Sequence, residues 1–330
     1  MGSFAHAPKS GDKFIWVRFG ALGDVLQALS SAFLIKQKFP DVSMSFLTTP
    51  PFVDIVKSQP YIDEVICGEK KPVSTLMKTA RLLREGKYDW IASTFQGSHM
   101  AWLAYVSGIK YRLGSSKYYS FLETDNIYEW GVKNDIDFHS RVTPSVFATE
   151  KSSLTARELL APLVSKKKLF AVIGASSEAK MWSLDGWADF LRPLTASGWG
   201  IVINGYGEME SRFAKEITNR IGDSDIVNLV GKLDYVKMVG VCCECDAAVG
   251  NDTGPLHMAA LCGVPTVGVF DYVQPVEVGY TMPNFTCVVG RDEQLQTFYT
   301  KSRSQSILSE IQGSSVLDSF YSLLERCTRM

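Results

Sequence analysis

The chain lacks an apolar run long enough to cross a bilayer. A spanning helix needs roughly 18–20 consecutive apolar residues, and the best stretch, Ala247 to Phe270, is interrupted by Asn251, Asp252 and His257. The apolar core of a signal peptide is also missing: the first dozen residues, MGSFAHAPKSGD, read as a loose leader. No excess of one charge exists. Thirty-four basic and thirty-five acidic residues leave a formal net charge of −1, so no global field is present to hold nucleic acid. Cysteines are few and odd in number, seven in all. Without an export signal, that count argues against a disulfide framework. The run Cys242-Cys243-Glu244-Cys245 has no second C-x2-4-C pair of the kind that closes a structural zinc site. Core or helix-end cysteines are therefore favoured over a metal site. Short-period repeats and low-complexity segments are absent. These absences point to a cytoplasmic protein, still free to touch a membrane surface peripherally.

What is present is globular and repetitive in pattern. Hydrophobic residues make up 46% and charged residues 21% of 330, enough for sizeable cores and for about two domains. Short apolar runs alternate with helical spacing. Strands are expected at Phe14–Phe19, Ser43–Leu47, Glu64–Cys67 and Tyr88–Ser93. Helices are expected at Val25–Phe39, Pro51–Ser58, Thr75–Glu85 and Met100–Ser107. Gly114–Asp137 is aromatic and weakly periodic, and Phe138–Leu160 turns helical again. Lys166-Lys167-Lys168 then precedes a new apolar strand. The alternation restarts with strands at Leu169–Ile173, Gly200–Ile203, Ile226–Asn228, Ala247–Val249 and Thr266–Phe270. The intervening helices are Leu184–Thr195, Glu208–Ile221, Asp234–Cys243 and Pro255–Cys262, and a last helix runs near Val316–Cys327. Strands alternating with helices imply α/β architecture with parallel, doubly wound sheets. The division expected is a leader over 1–13, an N-terminal Rossmann-like domain over 14–163 and a C-terminal one over 164–330. The last helix is a candidate to pack back on the N-terminal domain.

Ligands of open parallel sheets bind beyond the carboxyl ends of strands, so the strand-to-helix loops carry the chemistry. The first loop, Arg18-Phe19-Gly20-Ala21-Leu22-Gly23-Asp24, holds Gly20 and Gly23, which permit a tight turn. Its spacing is not the dinucleotide fingerprint G-x-G-x-x-G. Asp24 is either a helix-capping or first-turn acid or a ligand-facing carboxylate. The loop Gly174-Ala175-Ser176-Ser177-Glu178-Ala179-Lys180 offers two hydroxyls and a point charge suited to phosphate, or else a plain polar surface. In Gly250-Asn251-Asp252-Thr253-Gly254-Pro255-Leu256-His257, Pro255 marks the first turn of a helix, whose N–H groups can seat an anion. Asp252 and Thr253 are equally good caps, and His257 an ordinary histidine. Asn204-Gly205-Tyr206-Gly207-Glu208 supplies an acid that could accept from a ribose or simply begin a helix.

Taken together these segments resemble glycosyltransferase family 9, the heptosyltransferases. RFGALGDVLQALSSAFLIKQKFPDVSMSFLT resembles that family's opening, GASSEAKMWSLDGWADFLRPL its donor-site loop, and VGNDTGPLHMAALCGVPTVGVF its D-T-G-x-x-H signature. The resemblance implies a GT-B fold, two Rossmann-like domains facing each other across a cleft. It implies an inverting transfer of a sugar, heptose foremost, from a nucleotide donor, ADP-heptose foremost, to a lipopolysaccharide core or related glycan or glycolipid. Asp24 would be the general base. Lys180 would pair with the pyrophosphate, and Ser176 and Ser177 would bond phosphate or sugar oxygens. Glu208 would contact the nucleoside and Asp252 the sugar. Thr253, Gly254 and Leu256 would serve the phosphates, with His257 beside them. Lys70, Lys71, Arg112, Lys117 and Arg141 are basic residues that could meet an anionic acceptor. No cofactor or metal is required, because lysine and helix-end amides can stabilise the leaving diphosphate. No nucleic-acid partner is implied, and contact would be peripheral, at the cytoplasmic face of the inner membrane. Two rival readings use the same scaffold: a sugar-nucleotide epimerase or phosphorylase, and a non-catalytic nucleotide-sugar binder.

Overall fold

A computed structural model describes residues 6–68, 73–94, 98–138, 144–175, 181–222, 225–270, 282–290 and 308–329. The chain divides into two compact units, Met1–Ser145 and Val146–Met330.

The first unit holds β1 (Lys13–Val17), α1 (Leu22–Lys38), β2 (Ser43–Thr48), α2 (Val53–Lys57), β3 (Glu64–Cys67), α3 (Val73–Gly86), β4 (Trp90–Ala92), α4 (Ser98–Val106), β5 (Tyr111–Gly114), β6 (Asp125–Asn126) and α5 (Ile127–Lys133). Its sheet is parallel, in the order β3-β2-β1-β4-β5-β6. β1 buries four of its five residues, as a strand covered on both faces must. On one face Ile15, Val17, Leu47 and Ile91 pack against Ala80 and Leu83 of α3 and Met100 and Leu103 of α4.

The second unit holds α6 (Glu150–Leu159), β7 (Lys168–Val172), α7 (Leu184–Ala196), β8 (Gly200–Asn204), α8 (Gly207–Ile221), β9 (Ile226–Asn228), α9 (Tyr235–Cys243), β10 (Ala247–Asn251), α10 (Gly254–Leu261), β11 (Thr266–Phe270), β12 (Phe285–Val289) and α11 (Gly313–Thr328). The order is β12-β11-β10-β7-β8-β9, again parallel. Counted within each unit, both sheets run 3-2-1-4-5-6, the Rossmann order. In that order the winding reverses between strands one and four. The switch points are therefore β1/β4 in the first unit and β7/β10 in the second, and a crevice opens beyond the carboxyl ends of each pair. In the second core, Trp182, Trp187 and Phe190 meet Leu169, Ala171, Ile203 and Val249 of the sheet and Val316 and Phe320 of α11.

Five elements differ from the sequence expectation. β5, β6 and α5 occupy the stretch read as weakly periodic, and β12 adds an edge strand. Among the described residues of the stretch expected to be helical, Phe138–Leu160, the helix is α6. It starts at a capping box in which Thr149 and Ser152 bond each other's backbone N–H, a defined N-terminal stop. α6 lies against α9 so closely that a Cβ at Gly240 would strike the Ser152 carbonyl. That packing puts α6 in the second unit, so the units divide at 145/146 rather than near 163. α11 lies on α7, β11 and β12 of its own unit.

Candidate functional site

At the first switch point, α1 begins three residues earlier than its apolar pattern suggests. Its N-cap is Ala21, which offers no side-chain cap. Gly23 therefore lies inside the first turn, and Asp24 is a first-turn acid rather than the cap. Its carboxylate has another partner: Arg18 Nη2 stands 2.7 Å from Asp24 Oδ1, with the guanidinium largely buried and the carboxylate partly open. A bond to a rigid, buried fork fixes a carboxylate's orientation. Gly20 makes room for it, since a Cβ there would sit 2.6 Å from Asp24 Oδ2. Arg18 was the part of this loop that carried no assigned role in the sequence. The signal was a charge ending the apolar run FIWVRF, where only a partnered arginine can be buried.

The second switch point is organised by Asn251, which is 1% exposed. Its Oδ1 accepts from Trp182 N–H at 3.0 Å, and its Nδ2 donates to the carbonyls of Ile173 at 2.9 Å and Gly174 at 3.3 Å. One side chain thus ties the end of β10 to the segments that enter and leave the loop after β7. Gly250 lets β10 approach β7, because a Cβ there would strike the Val172 carbonyl. Next comes α10, with Thr253 at its N-cap position in extended conformation. The Thr253 hydroxyl donates back to the Asn251 carbonyl at 3.3 Å instead of capping the helix. Pro255 occupies the first turn, as suits a position whose N–H is not needed. The partial positive charge of the α10 N-terminus is thereby directed at the crevice beyond β7 and β10. Asp252 and His257 are brought together, Oδ1 to Nε2 at 3.1 Å. The Leu256 side chain is fully buried, and its N–H donates to the Thr253 carbonyl at 3.0 Å. Ser176, Ser177 and Lys180 lie outside the described residues, as do Lys70, Lys71 and Arg141.

On the next loop it is Glu210, not Glu208, that turns inward. Glu208 is exposed, whereas Glu210 is buried. Glu210 Oε2 accepts from Tyr206 N–H at 2.6 Å, and Ala175 N–H also donates to this carboxylate. Burial pushes its carboxyl above the usual range, against the pull of those two amides. Gly174 and Gly205 leave the space that it fills. Helical spacing could have found it, since Glu210 precedes the buried Ala214 and Ile217 by four and seven residues. Among the basic acceptor candidates, Arg112 is spent on structure, with bonds to the carbonyls of Leu122, Ile109 and Lys110. Lys117 is exposed.

The cysteine run is distributed along the end of α9. Cys242 and Cys245 are buried, Cys243 is exposed, and all are free thiols. Burial pushes the thiols of Cys242 and Cys245 above their ordinary range. Among the described residues, no group of three or more His, Cys, Asp or Glu side chains is placed to hold a metal ion.

Comparison with known proteins agrees with this architecture. The sequence model of glycosyltransferase family 9 (heptosyltransferase) matches residues 76–308. Lipopolysaccharide heptosyltransferase 1 of Campylobacter coli is 23% identical over 287 residues, covering 78% of this chain and 83% of that protein. The crystal structure of a family 9 glycosyltransferase from Veillonella parvula superposes with a TM-score of 0.78 at 18% identity, covering 97% of this chain and 99% of the other. The E. coli heptosyltransferase WaaC, solved with ADP, gives a TM-score of 0.66 at 17% identity, covering 94% and 99%. The two structures share the α/β fold of paired Rossmann-like domains.

Proposed function

Because this chain belongs to glycosyltransferase family 9, the heptosyltransferases, we propose that it moves a heptose from ADP-heptose to a sugar of a lipopolysaccharide core or a related glycan. The observation that carries the donor half of this reading is the second switch point. There Asn251 locks two loops together, and the N-terminus of α10 is directed at the crevice between them. A diphosphate there would meet helix-end amides already in position, so little reorganisation is needed as negative charge builds on the leaving group. ADP as the leaving nucleotide is supported by likeness to the WaaC enzyme solved with it.

The residue roles are those that the family resemblance implies, and the chemistry of the transfer is consistent with them. Asp24, oriented by Arg18, takes the proton of the acceptor hydroxyl as that oxygen attacks the anomeric carbon. The C–O bond to the diphosphate breaks on the opposite face, so the configuration inverts and ADP leaves. One base suffices, and no covalent sugar–enzyme intermediate forms. Asp252, held by His257, accepts hydroxyls of the sugar. Thr253 and Gly254 meet the phosphates, with Lys180, Ser176 and Ser177 completing the cradle. Glu208, exposed at the start of α8, contacts the nucleoside, on a loop that the buried Glu210 holds in place through the Tyr206 and Ala175 amides. No cofactor takes part.

The test separates binding from chemistry. Asp24→Asn is expected to bind ADP-heptose as the parent does while losing turnover by about 10²–10⁴-fold, the span of a general base. Full turnover in that variant would remove Asp24 from the mechanism.

A further inference from the structure

Cys242 and Cys243, the last two residues of α9, meet a third cysteine across the fold. Cys262 stands at the C-cap of α10, its N–H bonded to the Met258 carbonyl at 2.9 Å. The two helices pack on each other, and one stretch of backbone holds both of their ends. Val146 N–H donates at 3.1 Å to the carbonyl of Leu261, the last residue of α10. Two residues on, Ala148 N–H donates to Cys243 Sγ. The thiols are hydrogen-bonded in a row, Cys243 with Cys262 and Cys262 with Cys242. The row runs inward: Cys243 is exposed, Cys262 partly buried and Cys242 fully buried. Because no trio of described His, Cys, Asp or Glu side chains is placed to hold a metal ion, the chemistry left to the row is that of sulfur on sulfur.

We propose that Cys243 and Cys262 are an oxidant-sensitive pair, closed into a disulfide by a hydroperoxide and reopened by a dithiol. The Cys243 thiolate attacks a peroxide oxygen. The O–O bond breaks, the leaving hydroxide takes up the thiol proton as water, and Cys243 becomes a sulfenic acid. The Cys262 sulfur then attacks Cys243, the S–O bond breaks with release of a second water, and the S–S bond forms. Two thiols lose two electrons and two protons, and one hydrogen peroxide becomes two waters. Cys243 is the point of entry because it is the exposed member of the row. The hydrogen bond to Cys262, and then burial, hold the Cys243 thiol above its ordinary range, and the Cys242 bond does the same for Cys262. The thiolate is the reacting form, so closure is slow at neutral pH and quickens as pH rises. To bond, the sulfurs must close from hydrogen-bonding contact to about 2.0 Å, which draws the C-terminal end of α10 toward α9. The other end of α10 faces the crevice beyond β7 and β10, so ADP should bind the closed form more weakly, a consequence that rests on the proposed donor role.

The test treats the reduced full chain with hydrogen peroxide, alkylates the remaining thiols and maps the peptides by mass spectrometry. The parent should give a Cys243–Cys262 linkage that dithiothreitol removes, forming about tenfold faster for each unit by which pH is raised. Cys262→Ser should stop at a Cys243 sulfenic acid that dimedone traps, and Cys243→Ser should leave Cys262 reduced. Circular dichroism checks the fold of each variant; if Cys262→Ser unfolds, Cys243→Ser, at an exposed position, carries the comparison. ADP should bind the linked parent about tenfold or more weakly than the reduced parent, the scale of a displaced seat, and should bind Cys243→Ser equally with and without peroxide. The proposal is overturned if peroxide leaves the pair free, or if the linkage runs instead through Cys242 or, between two chains, through Cys67. A metal ion bound by these thiols in the purified chain overturns it as well. Equal ADP affinity of linked and reduced parent overturns the effect on the crevice. A reduced parent that binds no ADP refutes the donor reading instead, and the peptide map then decides the pair by itself.

Discussion

Replacing Asn251 with aspartate keeps the shape of the side chain and removes its two donated hydrogen bonds. The amide Nδ2 faces the carbonyls of Ile173 and Gly174, and Oδ1 accepts from Trp182 N–H, all at a position 1% exposed. In Asn251→Asp the Trp182 bond survives, but a carboxylate oxygen is pressed against two carbonyl oxygens with no donor between them. A buried polar group left unsatisfied costs about 1–3 kcal/mol, and a charged one more. Two carbonyls and one carboxylate oxygen thus place the loss at roughly 3–4 kcal/mol for the second unit. Asn251→Ala leaves three backbone groups unpaired but adds no charge and opens space that water can enter, so about 2–3 kcal/mol is expected. The assay is urea unfolding followed by tryptophan fluorescence, with Trp182 and Trp187 reporting on this unit. At ordinary urea slopes the aspartate variant should shift the midpoint down by about 1–3 M. ADP affinity should fall in both variants, since the loops that Asn251 ties lose their common anchor. An aspartate variant within about 0.5 kcal/mol of the parent, the range of neutral surface changes, would refute the claim that this bond network holds the crevice.

Gly20→Ala sets its new methyl group 2.6 Å from Asp24 Oδ2. Because the obstructing atom ends a flexible side chain, stability should hardly change while turnover falls as Asp24 is pushed off Arg18. Thermal melting and steady-state rates on one preparation check both. Gly250→Ala meets backbone instead, so unfolding should show a loss of about 1–3 kcal/mol, the cost of overpacking. Burial raises the carboxyl of Glu123, with the Ser116 amide pulling the other way. The folded state therefore holds this proton more tightly than the unfolded chain, and the stability from this group declines as pH rises from about 4.5 through the raised value. Glu123→Gln can keep the Ser116 bond and should flatten that decline in a series of melting temperatures. An unchanged slope would contradict the assignment.

The sequence showed the alternation and most strand positions because parallel strands buried on both faces read as short unbroken apolar runs such as KFIWV and KLFAV. It could not show β6, two residues long, because no period can be read in so short a segment. The helix expected over 138–160 was overextended because the Thr149–Ser152 box that starts α6 uses a serine where an acid or glutamine usually signals it. At the site, motif spacing picked out the loops after β1, β7, β8 and β10, and all of them leave carboxyl ends of strands. Motif position pointed to Glu208, whereas the acid of α8 that turns inward is the one sharing a face with Ala214 and Ile217, four and seven residues on. Spacing could not show that Arg18 and Asn251, unremarkable in sequence, organise the two switch points, since their partners lie far along the chain or across the turn.

The most direct measurement of the central claim follows the products formed from ADP-heptose with a lipopolysaccharide-core acceptor by mass spectrometry and anomeric NMR. Sugar transfer predicts ADP and a heptosylated acceptor in equal amounts, formed only when acceptor is present and with the anomeric configuration inverted. Conversion of the donor to a rearranged nucleotide sugar without acceptor, or tight nucleotide binding with no product at all, would contradict it.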